Sequence, residues 1–158
     1  ENPILFFEHK ALYRSVYGNV PDNYYTIPFG KATVLKEGFD LSIITFGATV
    51  HWVLEEFEKH SFSADIIDLR TLQPLDVETI YNSVKKTGKA LIVQEDTLFG
   101  GISSDISALI NENCFEYLDA PVKRVGSIES PIPFAKNLEN LYLQKDNLIE
   151  QIIELIKY

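Results

Sequence analysis

From Lys31 onward the chain alternates β-rich runs with amphipathic helical patterns, and this alternation restricts its folds more than any other feature. KATVLKE, LSIITFG, SADIIDLR, KALIVQE and APVKRVG are rich in branched residues and bounded by turn-prone ones, as strands are. Between them, Val50, Val53, Leu54 and Phe57 recur at i, i+3, i+4 and i+7, which places one apolar stripe on a helix from about Ala48 to Lys59. VETIYNSVKKTG reads as a second helix, stopped by Thr87-Gly88, with Lys85 and Lys86 at its negative end. Gly100-Gly101 open a third, whose apolar face is Ile102, Ile106, Leu109 and Ile110. After a loop with Pro131 and Pro133, Asp146 is placed to cap a last helix with Leu148, Ile149, Ile152, Ile153, Leu155 and Ile156 on a broad stripe. Strands separated by helices require right-handed crossovers and a mostly parallel sheet, so the expected fold is α/β, a three-layer αβα sandwich of about five strands. KATVLKE and LSIITFG, joined by the turn-prone Gly38-Phe39-Asp40, are expected to pair as a hairpin and supply one antiparallel edge strand.

Residues 1–30 lack this order. Ile4 to Phe7 reads as a short buried strand, but Glu8 to Tyr25 has no sustained period and is broken by Gly18 and Pro21. It is expected to be an arm lying on a surface through Tyr13, Tyr17 and Tyr24, with Lys10 and Arg14, ahead of a domain over 31–158. The chain's 158 residues suit one such domain, and 46% hydrophobic with 23% charged residues describe an ordinary globule. Its formal net charge of −9 repels a phosphate backbone, and no basic cluster offsets it, so nucleic acid is excluded as a partner. The acidic excess lies mainly in residues 90–158, with eleven acids against five bases, so a charged partner is expected to be basic; the alternative is a solvated surface that keeps the protein in solution. The single Cys114 allows no internal disulfide, and neither a signal peptide nor an apolar run of about 18 residues is present, which points to a reducing, cytoplasmic setting without a membrane. A chain that starts at Glu1 on a strand-like PILFF and contains no Met is expected to be a piece of a longer polypeptide.

Several routes to chemistry are absent from the sequence: GxGxxG, GxxxxGK[ST] and GxSxG do not occur. His9, His51 and His60 are scattered without partners at ligand spacing, and Cys114 has no nearby His, so neither a metal site nor a thiol nucleophile is expected. Gly100-Gly101 at a strand-to-helix turn offers backbone N–H groups to an anion, but Glu95 and Asp96 just before it favour a plain tight turn. In IIDLRTLQPLD, strand alternation puts Asp68 and Arg70 on one face, near the carboxyl end where such sheets bind ligands. Ion pairing at a subunit or domain boundary is the preferred reading for them, with catalysis or a small-anion crevice as the alternatives. Pro74 excludes an earlier helix start, and Asp76 is placed to cap the helix that follows. Trp52 falls off the apolar stripe, so it is either an outward-facing contact residue or a partly buried second-layer aromatic.

The order and wording of FFEHKALYRSVYGNVP, DLRTLQPLD, SVKKTGKALIVQED, GGISSDISALI and YLDAPVKRV closely resemble the C-terminal part of the beta subunit of thiamine-diphosphate-dependent 2-oxo acid dehydrogenases, of the pyruvate and branched-chain type. These enzymes belong to the transketolase superfamily. EHKALYR, DLRT.QPLD and LDAPV.RV are the most specific pieces, because a looser D.R...PLD theme also occurs in transketolase and deoxyxylulose-phosphate synthase. The resemblance implies a five-stranded domain with one antiparallel strand, entered by an arm from a preceding pyrimidine-binding domain. It implies an enzyme that decarboxylates a 2-oxo acid and passes the acyl group to a lipoyl arm. Thiamine diphosphate and magnesium would be held by other domains, and no catalytic or cofactor residue carries over to this chain, which is expected to be inactive alone. The implied partners are the alpha subunit or remaining domains, a second copy in the assembled dimer, and the basic subunit-binding domain of the acyltransferase core. Matched by motif, Asp119 of LDAPV and the terminal carboxylate at Tyr158 are the expected docking positions, with Trp52, Asp68 and Arg70 as further interface candidates. A Phe-Gly or Phe-Ala that often follows the paired glycines is replaced by Ile102-Ser103-Ser104, which weakens any anion role for that loop.

Overall fold

Period-two burial builds the core on both faces of one sheet. Leu41, Ile43, Ile66, Leu91, Val93 and Val125 point to one side, and Ile44, Ile67, Ala90 and Ile92 to the other; all are buried. The computed structural model describes Pro3, Leu5 and residues 7–158. Its strands are β1 (Thr33–Lys36), β2 (Leu41–Thr45), β3 (Ala64–Asp68), β4 (Ala90–Thr97) and β5 (Lys123–Ser127), in the order β1-β3-β2-β4-β5. β2, β3, β4 and β5 run parallel, and β1 runs antiparallel to β3 at one edge.

The helices are α1 (Ala48–Lys59), α2 (Val77–Thr87), α3 (Ser103–Cys114), α4 (Lys136–Tyr142) and α5 (Lys145–Lys157). Val53 of α1 and Leu148, Ile152 and Leu155 of α5 close one face of the sheet. Ile80 and Val84 of α2 with Ile106 and Ile110 of α3 close the other, which completes the three layers. α1 has the limits its stripe predicts. α2 starts at Asp76, whose carboxylate accepts the Thr79 N–H at 3.3 Å, and stops at Gly88 in the left-handed region (φ 70°).

The structure corrects several expectations. β1 and β2 do not form a hairpin, because β3 lies between them. β2 is buried at all five positions and so takes a strand on each side, whereas β1 alternates half-buried and exposed and suits an edge. The intervening loop crosses the start of β3: Gly38 N–H donates to Asp65 Oδ1 (2.9 Å) and Asp40 N–H to the Ser63 carbonyl (2.8 Å). Asp146 lies inside the first turn of α5, and Gln144 at φ 51° precedes that helix as its cap residue. α3 begins at Ser103, just after the paired glycines, and α4 was not expected at all. Of the PILFF run, Ile4 and Phe6 lie outside the described residues; Leu5 and Phe7 are exposed and in no strand.

Candidate functional site

Between Ala90 and Val122 the chain carries six acids and neither a Lys nor an Arg, and the fold gathers the end of that stretch beside the end of the last helix. α3 ends on the buried Cys114, a single 3₁₀ turn follows over Phe115–Tyr117, and Leu118 leads in extended conformation to the exposed Asp119. Asp119 N–H donates to the Gly88 carbonyl at 2.7 Å, which fixes this loop to the turn between α2 and β4. On the other side, the last turn of α5 is held by Lys89 Nζ, which donates to the Ile156 carbonyl at 3.1 Å, and by the Lys123–Glu154 pair at 2.9 Å. Together these segments frame a shallow cleft of 380 Å³ whose walls include Phe115, Asp119, Pro121 and Tyr158.

The walls of this cleft are aromatic and acidic. Phe115 and Tyr158 are exposed by 75% and 67% beside an exposed carboxylate, and aromatic anchors next to a charge are what specific interfaces use. Lys85 stands 5.2 Å from the Tyr117 ring centroid, so this cation is engaged on an aromatic face. Burial pushes the Cys114 thiol above its ordinary pKa, with Lys85 partly opposing, so the thiol beneath the cleft is held protonated and inert.

Asp119 and Tyr158 are thus brought together, although thirty-nine positions separate them in sequence. Asp68 and Arg70 share a second cleft, of 620 Å³, with Gly47, His51 and apolar walls from Phe29, Leu35 and Leu54. β3 ends at Asp68, and Arg70 adopts φ 57°; the tie between them is Arg70 N–H to Asp68 Oδ1 at 3.1 Å rather than a side-chain ion pair. Trp52 belongs to neither cleft. It is half-buried against the core with Lys145 Nζ 4.6 Å from its ring centroid, and it lines a 720 Å³ hollow beneath the arm, where His9 reaches Glu95 at 3.2 Å.

The paired glycines serve a tight turn. Gln94 donates to the Thr97 carbonyl and accepts the Ser103 N–H at 2.8 Å, and a Cβ on Gly101 would lie 2.0 Å from the Gln94 amide nitrogen. The first N–H of α3 is therefore taken by a side chain. Among the described residues, no cluster of three or more His, Cys, Asp or Glu could hold a metal ion. No helix there is long and apolar enough to cross a membrane. Sequence reasoning placed Gly88 only as the stop of the second helix and did not single out Phe115 or Lys89; the acidic excess of residues 90–158 pointed to that half of the chain but not to the residues that frame the cleft.

Residues 30–149 match the family model of the transketolase C-terminal domain. The chain is 45% identical over 154 residues to the 2-oxoisovalerate dehydrogenase subunit beta of Bacillus subtilis, covering 95% of this chain and 47% of that one. It is 48% identical over 138 residues to the pyruvate dehydrogenase E1 component subunit beta of the same organism (85% and 42% covered), and 43% identical to that of Staphylococcus aureus (99% and 49%). The chain therefore spans about half the length of these relatives. Among solved structures, a split-gene transketolase described as an inactive beta4 tetramer superposes with a TM-score of 0.70 at 26% identity, over 88% of this chain and 45% of that one.

Proposed function

The chain belongs to the transketolase C-terminal domain family, and from that premise we propose that it is the assembly domain of the beta subunit of a 2-oxo acid dehydrogenase. In that reading the complete enzyme decarboxylates a 2-oxo acid oxidatively and hands the acyl group to a lipoyl arm in a cytoplasmic multienzyme complex. This domain contributes dimerisation and the docking of the acyltransferase core. The identity of 43 to 48% to dehydrogenase beta subunits, against 26% to a transketolase, favours the dehydrogenase over the transketolase branch. We assign thiamine diphosphate and magnesium to parts of the enzyme outside residues 1–158. The residues present do not fit them: the glycine turn whose N–H groups an anion could use is closed by Gln94 and preceded by Glu95 and Asp96.

The observation that carries the docking role is the cleft that joins Asp119 to Tyr158 in the acidic half of the chain. A basic partner approaching this face gains on-rate and specificity from charge complementarity, and the aromatic walls supply contact area. Titration of a basic acyltransferase subunit-binding domain against the chain tests this. Asp119→Lys is expected to weaken binding at least tenfold at low salt, and an unchanged affinity contradicts the proposal.

A further inference from the structure

We propose that the Gly88-Lys89 turn is the positioning element of this docking face: Gly88 sets where the Asp119 carboxylate lies, and Lys89 sets where the last turn of α5 stands. The inference rests on the docking reading above and adds to it two residues that do not line the cleft.

The two walls of the cleft come from opposite sides of the sheet. Asp119 follows α3, which packs on one face, whereas Tyr158 follows α5, which packs on the other. Two helices on separate faces have no intrinsic reason to keep their ends at one spacing, so a shared tie is needed. The α2–β4 turn supplies it. Gly88 takes the left-handed conformation that closes α2, its N–H donates to the Val84 carbonyl at 2.8 Å, and its own carbonyl accepts the Asp119 N–H. A Cβ at Gly88 would stand 2.2 Å from Asp119 Oδ2 and 3.0 Å from Cγ, so the carboxylate rests against a bare Cα and only glycine leaves it there.

Lys89, the next residue, reaches the other wall. Its half-buried ammonium donates to the Ile156 carbonyl, one of the carbonyls that the end of a helix leaves without a partner, and its charge suits the negative end of α5. The turn itself is rigid. The Lys89 carbonyl accepts Ser42 N–H of β2 at 2.8 Å and the Thr87 hydroxyl at 3.1 Å, and Ala90 begins β4. Two adjacent residues anchored to the centre of the sheet thus tie the Asp119 carboxylate and the last turn of α5 that carries Tyr158 to one support.

Simple charge arithmetic and positioning predict opposite signs, which makes the test sharp. Removing Lys89 makes the face more negative, so charge alone would tighten a basic partner; loss of positioning weakens it. Calorimetric titration of the same basic subunit-binding domain against wild type, Lys89→Met, Lys89→Arg and Asp119→Lys, with thermal melts of each, reads the difference. The expected result is that Lys89→Met remains folded and binds at least fivefold more weakly, while Lys89→Arg recovers most of the affinity. Binding of Lys89→Met as tight as wild type or tighter overturns the inference, and so does weakening that Lys89→Arg fails to recover. If Asp119→Lys weakens binding and Lys89→Met does not, the positioning role fails and the docking face stands; if Asp119→Lys binds like wild type, the docking face itself fails. Gly88→Ala is the harsher variant, and Lys89→Met keeps the outcome readable where Gly88→Ala does not fold.

Discussion

Asp76 shows how much one side chain does in this fold. It is buried at the start of α2, where it accepts the Thr79 N–H, the Thr79 hydroxyl and, across the sheet edge, the Ala32 N–H at 3.0 Å. Burial works to raise its carboxyl pKa, but the hydrogen bonds from Ala32 and Thr79, helped by the charge of Lys31, outweigh it and hold the group below its ordinary value. A depressed folded pKa adds stability that is complete above the unfolded value of roughly 3.9 and is lost as pH falls through the folded one. Asp76→Asn is therefore expected to cost about 1 kcal/mol at neutral pH, as caps do, with the gap to wild type narrowing in acid. Urea unfolding at neutral and acid pH checks both statements. Cys114 gives a second prediction at this scale. Its buried, raised-pKa thiol should react with a disulfide reagent only as fast as the native state opens, so denaturant should accelerate labelling steeply. The cap role of Asp76 was legible in the sequence because it depends on its neighbours; the Ala32 bond was not, because the two residues lie forty-four positions apart.

At the scale of elements, legibility followed the strength of the local pattern. α1 carries a clear stripe and α2 clear end signals, and their limits were read correctly. α4 was invisible: seven residues after two prolines, with Tyr142 its one buried residue, give no periodic stripe to find. The hairpin was misread because turn chemistry at Gly38-Phe39-Asp40 is compatible with a crossing as well as with a reversal. Gly38 is needed for closeness rather than for a special backbone angle: a Cβ there would lie 2.1 Å from the Ala64 nitrogen. Gly38→Ala is accordingly expected to destabilise the domain by about 2–3 kcal/mol, since the backbone of β3 cannot yield without breaking its pairing. Its midpoint in chemical denaturation checks this, and a wild-type midpoint would mean that the loop is free to move away.

At the scale of the whole molecule, the alternation of strands and helices was sufficient for the three-layer fold, and family resemblance for its similarity to dehydrogenase beta subunits. The candidate site was only half legible. Asp119 and Tyr158 were marked by motif, but their meeting depends on two helices on opposite faces of a sheet and on a turn that local pattern gives no reason to single out. Chain separation hides such a site, and charge distribution only hints at it: the acidic excess of residues 90–158 points to one half of the molecule without naming a face. In the proposed docking role this face, and not the Arg70 cleft or the hollow under the arm, receives the basic partner. Backbone amide shift mapping of the isotope-labelled chain during titration with a basic subunit-binding domain tests it most directly. The prediction is that perturbations concentrate at Asn111–Pro121 and the last turn of α5, with Gly88 and Lys89 among them, and fade as salt is raised. Perturbations centred on Gly47, Asp68 and Arg70, with Asp119 unmoved, would contradict it.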